Sequence, residues 1–275
     1  MAHQDDDLIH PHSAEHIQHG DFIAGLAKGL QILEAFGVDR QRLNVTQVAE
    51  RTGISRTAAR RYLKTLKFLG YLDADEQDAI SNYRLTHRVL RFSSAYLSSS
   101  FLAKIAQPYL NILCKQTGLT FSMVVLDDHE VVPIARSYLG STNQKQLNPY
   151  GMHLGNRLPA HATSTGKTLL SIQTQLQQQK WIAKFGLKKL TPFTIVDETL
   201  FLNRLHDIAL AGFCVSKEEH ELGVIAIAVP VFNAHGEAVA ALNCITSTQH
   251  YEEHALIHDI LPLLQEQSSA LREVL

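Results

Sequence analysis

Residues 44–69 read NVTQVAERTGISRTAARRYLKTLKFL, which spells two short helices around a tight turn at Gly53. Asn44 followed three positions later by Gln47 is a capping box that opens the first helix. Ser55 is a favourable N-cap for the second. Ala59, Tyr62, Leu63 and Leu66 then recur at the helical period and define an inward face. The opposite face carries Arg56, Thr57, Arg60, Arg61 and Lys64. Between Arg51 and Lys67 there are six basic residues and no acidic ones. A helix-turn-helix lays such a second helix in the major groove of DNA, where arginine forks read guanine edges and cations neutralise phosphates. The candidate DNA contacts are Thr46 and Gln47 on the first helix and Ser55, Arg56, Thr57, Arg60, Arg61 and Lys64 on the second.

A small amphipathic helix pair with a solvated basic face is the plainer alternative. The continuation of the chain argues against it. GYL (70–72) and YRL (83–85) flank a polar, acid-rich stretch, DADEQDAISN (73–82). That pattern is a β-hairpin, the wing of a winged helix-turn-helix. Asn82 and Arg84 fall where a wing reaches the DNA backbone. The acidic tip, repelled by phosphate, is expected to point away.

The rest of the chain sets the frame. Its 275 residues hold two domains, and 45% apolar content is enough for two cores. Net charge is -2, so basicity is a local property of one module. No apolar run reaches the ~18 residues that would span a bilayer. The N-terminal stretch MAHQDDDLIHPHSAEHIQHG has no basic start followed by an apolar core, and reads as a His-rich disordered tail over 1–21. Cys114, Cys214 and Cys244 are far apart and odd in number, which fits a reducing cytoplasm and no disulfide framework.

Outward from the helix pair, a helix over about 23–36, with Leu26, Leu30 and Leu33 on one face, is expected to support it. The winged module is thus 22–85. A helix over 86–100, ending in serines, reads as a linker. From 101 onward the pattern alternates. FSMVVL (121–126) and VVPIARSYL (131–139) form one hairpin; GVIAIAVPVF (223–232) and AVAALNCITS (238–247) form another. Helices near 164–176, 177–185, 198–211 and 250–273 surround them. The fold class is a two-domain α/β protein whose second domain is an antiparallel α/β sheet.

The second domain has one strong charge signal. From 131 to 196 there are no acids and eight Lys or Arg, where an even spread would place about six or seven acids. Such a segment lowers the cost of holding an anion. Within it, RLPAHATSTGKTLLS (157–171) reads as a loop feeding a helix N-terminus near Ser164, whose free N–H groups and dipole suit a carboxylate or phosphate. GKT (166–168) resembles the end of a P-loop, but His161 stands where the first glycine belongs. The carboxylates of EEHELG (218–223) have no matched nucleophile nearby and read as surface acids of a loop. His250, His254 and His258 share a helical face and read as solvated surface, so no metal site is expected. Cys244 reads as an apolar filler of a buried strand.

Taken together, GLAKGLQILEAF (25–36), the helix-turn-helix, YRLTHRVLRF (83–92), RLPAHATSTGKTLLS (157–171), LTPFTIVDE (190–198) and EEHELGVIAIAVPVF (218–232) carry a resemblance. The chain resembles the IclR family of bacterial transcription regulators over roughly 22–273, and within it the Pob/Pca subgroup that controls breakdown of aromatic acids. The resemblance implies a GAF-like effector domain over 101–275, with a pocket on one sheet face. It implies a homodimer or tetramer on double-stranded DNA with repeated half-sites, and no enzymatic activity or cofactor. It also implies that backbone amides at Ser164 and Thr165 hold a ligand carboxylate, with a polar contact from Asn243. VIAIAVPVF is almost wholly apolar, which suits an aromatic ring better than a two-carbon acid. The effector so implied is 4-hydroxybenzoate, with protocatechuate second. Arg136 is a candidate for the carboxylate or a structural arginine; Tyr138, His161 and Asn243 are candidates for a ring hydroxyl. A repressor responding to another small carboxylate, or a cysteine hydrolase fused to a DNA-binding module, are the rival readings.

Overall fold

The computed structural model describes residues 20–37, 40–75, 81–138 and 153–275. Of the His-rich tail residues 1–19, and of the wing tip residues 76–80, fall outside the described residues. The chain divides into two compact units between Tyr96 and Leu97, and each is described by itself.

In the first unit, α1 (Ala24–Glu34), α2 (Val45–Thr52) and α3 (Arg56–Phe68) precede a two-stranded hairpin, β1 (Leu72–Asp75) and β2 (Asn82–Leu85). The local signals act as read. Asn44 and Gln47 close a complete capping box on α2, and Gly53 ends it at φ 68°, a left-handed conformation that glycine adopts without a Cβ penalty. The Ser55 hydroxyl oxygen accepts the Ala58 N–H at 3.3 Å and caps α3. Ala59, Leu63 and Leu66 are buried with Ile32, Leu43, Val48 and Leu72, while Tyr62 is only half-buried.

Two expectations need correction here. Of the leucine stripe of α1 only the last residue packs. Ile32, Ala35 and Phe36 enter the core and Leu33 is half-buried against it, whereas Leu26 and Leu30 are exposed. Asp73 and Asp75, read as part of the wing tip, belong to strand β1, opposite Arg84 and Asn82.

α4 (Leu90–Ser99) follows a 3-10 turn over His87–Val89 and contains the division between the units. The second unit opens with α5 (Phe101–Thr117). Its sheet has six strands in the order β5-β4-β3-β8-β7-β6, every neighbouring pair antiparallel. β3 (Thr120–Asp127) pairs with β4 (Glu130–Ser137), and β7 (Val224–Phe232) with β8 (Ala238–Ser247). These are the two hairpins seen in the sequence, joined edge to edge through β3 and β8. The short strands β5 (Leu158–Pro159) and β6 (Cys214–Lys217) close the edges and carry too little pattern to be read beforehand.

α5, together with the C-terminal α9 (Glu253–Ala255), a π turn at Leu256–Ile260 and α10 (Leu261–Arg272), covers one face of the sheet. Phe121, Met123, Ile225, Ile227 and Leu242 point to that side. α6 (Ser164–Ser171), α7 (Gln175–Phe185) and α8 (Glu198–Ala211) cover the other. Because side chains alternate along a strand, Val224, Ala226 and Ala228 of the apolar run 224–229 turn toward α6, and the first two of them line the cavity described below. Among the described residues no helix is long and apolar enough to cross a membrane.

Candidate functional site

The first candidate surface lies on α3. Arg56, Thr57, Arg60, Arg61 and Lys64 are all exposed along it, with no acidic side chain on the helix. Ser55 and Gln47 are exposed, but their side-chain oxygens are committed to helix caps, Ser55 to Ala58 N–H and Gln47 Oε1 to the Asn44 N–H at 2.9 Å. Thr46 is half-buried. Arg84, expected on the wing, is engaged within the hairpin: its guanidinium meets Asp73 at 2.6 Å and Asp75 at 3.5 Å. Arg42 takes the other oxygen of Asp75 at 2.7 Å. The Arg84 guanidinium is the main reason the Asp73 carboxyl sits below the usual carboxylate range.

The second candidate is a cavity between the sheet and α6, about 560 Å³ of space with its solvent-open part included. Its floor is apolar, built from Val124, Val131, Pro133, Leu158, Ala226 and Ile245. Its polar side holds Ser164, Thr165, Ser216, Glu219, His220 and Asn243. The α6 terminus is placed by a close backbone approach. A Cβ on Gly166 would sit 2.2 Å from the Ala160 carbonyl oxygen, so the helix can rest on the Ala160–Ala162 turn only with glycine there. Thr163 caps the helix, its hydroxyl oxygen accepting the Gly166 N–H at 3.2 Å. First-turn N–H groups have no acceptor within their own helix, and Ser164 and Thr165, which carry them here, both line the cavity.

Lys167, one position on, does not face the ligand space as a free cation. It is wholly buried and closes an ion pair with Glu219; the Ser216 hydroxyl lies 3.5 Å from its ammonium and 3.1 Å from the same Glu219 oxygen. Arg157, the other cation of that segment's loop, pairs with Asp127 at 2.5 Å and Glu130 at 2.6 Å. Two charges of the acid-free interval are thus neutralised by acids from outside it. Attraction for an anion at this end rests on backbone N–H groups and the helix dipole.

The loop EEHELG is a wall of the cavity rather than a surface turn. Glu218 takes φ 58°, a left-handed conformation uncommon for a side-chain-bearing residue and frequent at ligand sites. The segment LTPFT (190–194) holds it there. Thr191 donates its hydroxyl to the Glu218 carbonyl and Thr194 to the Glu219 carbonyl, each at 2.6 Å. Glu218 Oε1 in turn accepts the Gly223 N–H at 2.8 Å. Glu219 is buried because its partner comes from α6, far away in sequence. Burial holds the His220 imidazole below its ordinary range.

The other expected contacts divide. Asn243 lines the cavity. Across the sheet it stands opposite Ser122, which stands opposite Arg136, so all three share the cavity face. Arg136 is half-buried and outside the described lining; burial pulls its guanidinium below the usual value. Tyr138 is exposed at the end of β4. His161 is buried, but its Nε2 turns to the Lys188 carbonyl at 2.8 Å. Ser122, Ser216, Glu219 and His220 were not among the residues picked out from sequence for the ligand. Only the last two lay in a segment that drew attention. Cys244 and Cys214 are completely buried and burial pushes both thiols up, the opposite of what a nucleophile requires.

A helix-turn-helix with a basic second helix in one unit and a partly apolar cavity at a helix N-terminus in the other define a DNA-binding regulator that senses a small molecule. The chain belongs to the IclR family: residues 94–272 match the bacterial transcriptional regulator IclR C-terminal domain and residues 25–76 the IclR helix-turn-helix domain. It is similar to the p-hydroxybenzoate hydroxylase transcriptional activator of Acinetobacter baylyi, with 64% identity over 97% of each chain. The Pca operon regulatory protein of the same organism is 48% identical over 94% of this chain and 91% of its own. Among solved structures, a double mutant of the PobR inducer-binding domain from Acinetobacter, complexed with 3-hydroxybenzoic acid, is 57% identical. It covers 64% of this chain and all of its own, with a TM-score of 0.61.

Proposed function

We propose that the protein activates transcription of genes for aromatic-acid breakdown and that its effector is 4-hydroxybenzoate. The observation that carries this reading is the cavity: an apolar floor that ends at the first turn of α6. A ring buries its faces against Val124, Val131 and Ile245, while a carboxylate accepts the Ser164 and Thr165 N–H groups. Arg136, Ser122 and Asn243 form a polar row across the same face. The similar proteins named for p-hydroxybenzoate hydroxylase and Pca control support the substrate class. Protocatechuate, which carries one more hydroxyl, is the second ligand in order.

In this reading residues 22–85 bind DNA, 86–100 link, and 101–275 sense the effector. Arg56, Thr57, Arg60 and Arg61 read bases, Lys64 meets phosphate, and the protein works in the cytoplasm as a homo-oligomer on repeated half-sites. A thermal-shift panel of aromatic and aliphatic acids tests the substrate class. A rise in melting temperature with 4-hydroxybenzoate and not with short 2-oxo acids is expected; the reverse order would reject it.

A further inference from the structure

We propose that Glu219 reads a hydroxyl group on the effector ring, its Oε2 oxygen accepting the hydrogen bond that the ligand's O–H donates. This rests on the reading of the cavity as a site for a ring bearing a carboxylate.

The two oxygens of Glu219 are in different situations. Oε1 is saturated by the Lys167 ammonium and the Ser216 hydroxyl. Oε2 is buried and meets no donor among the described residues. The residue as a whole is only 8% exposed and it lines the cavity. A buried acceptor on a charged group is costly to leave unmatched, more so than a neutral one. Whatever completes it must be a donor, because an ionised carboxylate only accepts.

That requirement makes Glu219 a filter with a sign. A ligand carboxylate brought to Oε2 meets like charge at short range in a dry site, and is turned away toward the α6 terminus. A phenolic hydroxyl is neutral near pH 7, since phenols ionise near pH ~10, and it carries the proton that Oε2 lacks. Its own oxygen still has lone pairs to satisfy. His220, the next residue, also lines the cavity, and its Nδ1 is buried without a partner among the described residues. One acceptor and one potential donor on the same lining match the two roles of a hydroxyl group. A ring with a carboxylate at one end and no hydroxyl at the other satisfies only half of the cavity.

Lys167 acts here as a positioning residue. It holds Oε1, so that Oε2 is the oxygen turned to the ligand. Asn243 Oδ1 is a further acceptor on the lining that meets no donor among the described residues. It is neutral, and the charge-assisted bond to Glu219 is the stronger of the two.

The test is calorimetry on the full chain with 4-hydroxybenzoate, benzoate and 4-fluorobenzoate, which has the size of the hydroxyl compound but no proton to donate. The hydroxyl compound is expected to bind roughly ten-fold or more tightly than either of the others. In a Lys167→Met, Glu219→Leu double variant, which removes both charges together, that preference should collapse. Equal binding of 4-hydroxybenzoate and 4-fluorobenzoate by the unaltered protein overturns the inference while leaving the carboxylate site standing, and that comparison needs no variant to fold. A preference that survives intact in the folded double variant also overturns it and points to Asn243. Binding of none of the three would remove the reading of the cavity and this inference with it.

Discussion

Lys167 and Glu219 lie 52 positions apart and close on each other inside the effector-binding unit, with the lysine side chain wholly out of solvent. The pair fastens α6 to the loop before β7, two of the elements that form the polar side of the cavity. Taking two charges out of water is costly, and the Coulomb gain in the interior roughly offsets it. The pair therefore fixes geometry more than it adds net stability.

A single Lys167→Met substitution should destabilise the unit by about 3–5 kcal/mol, because it leaves the Glu219 charge buried and alone. The Lys167→Met, Glu219→Leu double variant should lose much less. Urea unfolding of both variants measures the difference. A double variant less stable than the single would contradict this account of the pair.

Gly166→Ala should fail for a different reason. The new methyl would press on the Ala160 carbonyl oxygen at 2.2 Å, and both partners are backbone. The helix must move off the Ala160–Ala162 turn, at a cost of about 1–3 kcal/mol or more. Since that displaces Ser164 and Thr165 from the cavity, effector affinity should fall along with melting temperature. Unchanged binding in this variant would mean that the terminus of α6 does not set the site.

On DNA, the hairpin and the recognition helix should behave differently. An Arg60→Ala, Arg61→Ala variant should lose specific binding, with about 1–3 kcal/mol per arginine that forks onto a guanine. Arg84→Ala should cost much less, because Asp73 and Asp75 already hold that guanidinium. Replacing both aspartates by asparagine should strengthen binding at low salt, by freeing Arg84 and removing two negative charges. Footprinting and a salt titration distinguish these outcomes. A normal footprint from the double arginine variant would sink the assignment of α3.

How far the sequence revealed this molecule depended on the distance over which each signal acts. Asn44, Gln47, Gly53 and Ser55 work within one turn of chain, and the helix-turn-helix they define is present as read. The two hairpins of the sheet were legible for the same reason. Glu219 reads as a surface acid because nothing beside it in sequence announces Lys167. The GKT string, which suggested and then failed as a phosphate loop, is explained by that partner and by the close approach at Gly166. LTPFT was visible only as a family motif; its threonines prove to clamp the Glu218 and Glu219 carbonyls. The α1 leucine stripe misled because periodicity reports an apolar face without saying what covers it. The apolar run of β7 suggests an apolar wall for a ring, yet alternation sends half of its side chains to the opposite core.

Acid should loosen the effector-binding unit. Burial holds the imidazoles of His161 and His220 below their ordinary value of 6.5. On acidification the unfolded chain takes up protons first, so the stability from these groups is complete above about pH 6.5 and is lost as pH falls toward their folded values. Melting temperature should drop between pH ~7.5 and ~5.5, and the drop should be shallower in a His161→Gln, His220→Gln variant. A melting temperature that rises over that interval would contradict the direction.

The central claim is that the first turn of α6 receives the charge of an aromatic carboxylate. Thr165→Pro removes one N–H from that turn at a position where a helix tolerates proline. It should weaken effector binding severely, while Ser164→Ala, which keeps its N–H, should be mild. The most direct measurement is calorimetry comparing 4-hydroxybenzoate with 4-hydroxybenzamide, which differ in charge and little in shape. The account predicts that the amide binds far more weakly, and that its deficit shrinks in the Thr165→Pro variant. An amide that binds the unaltered protein as tightly as the acid would contradict it.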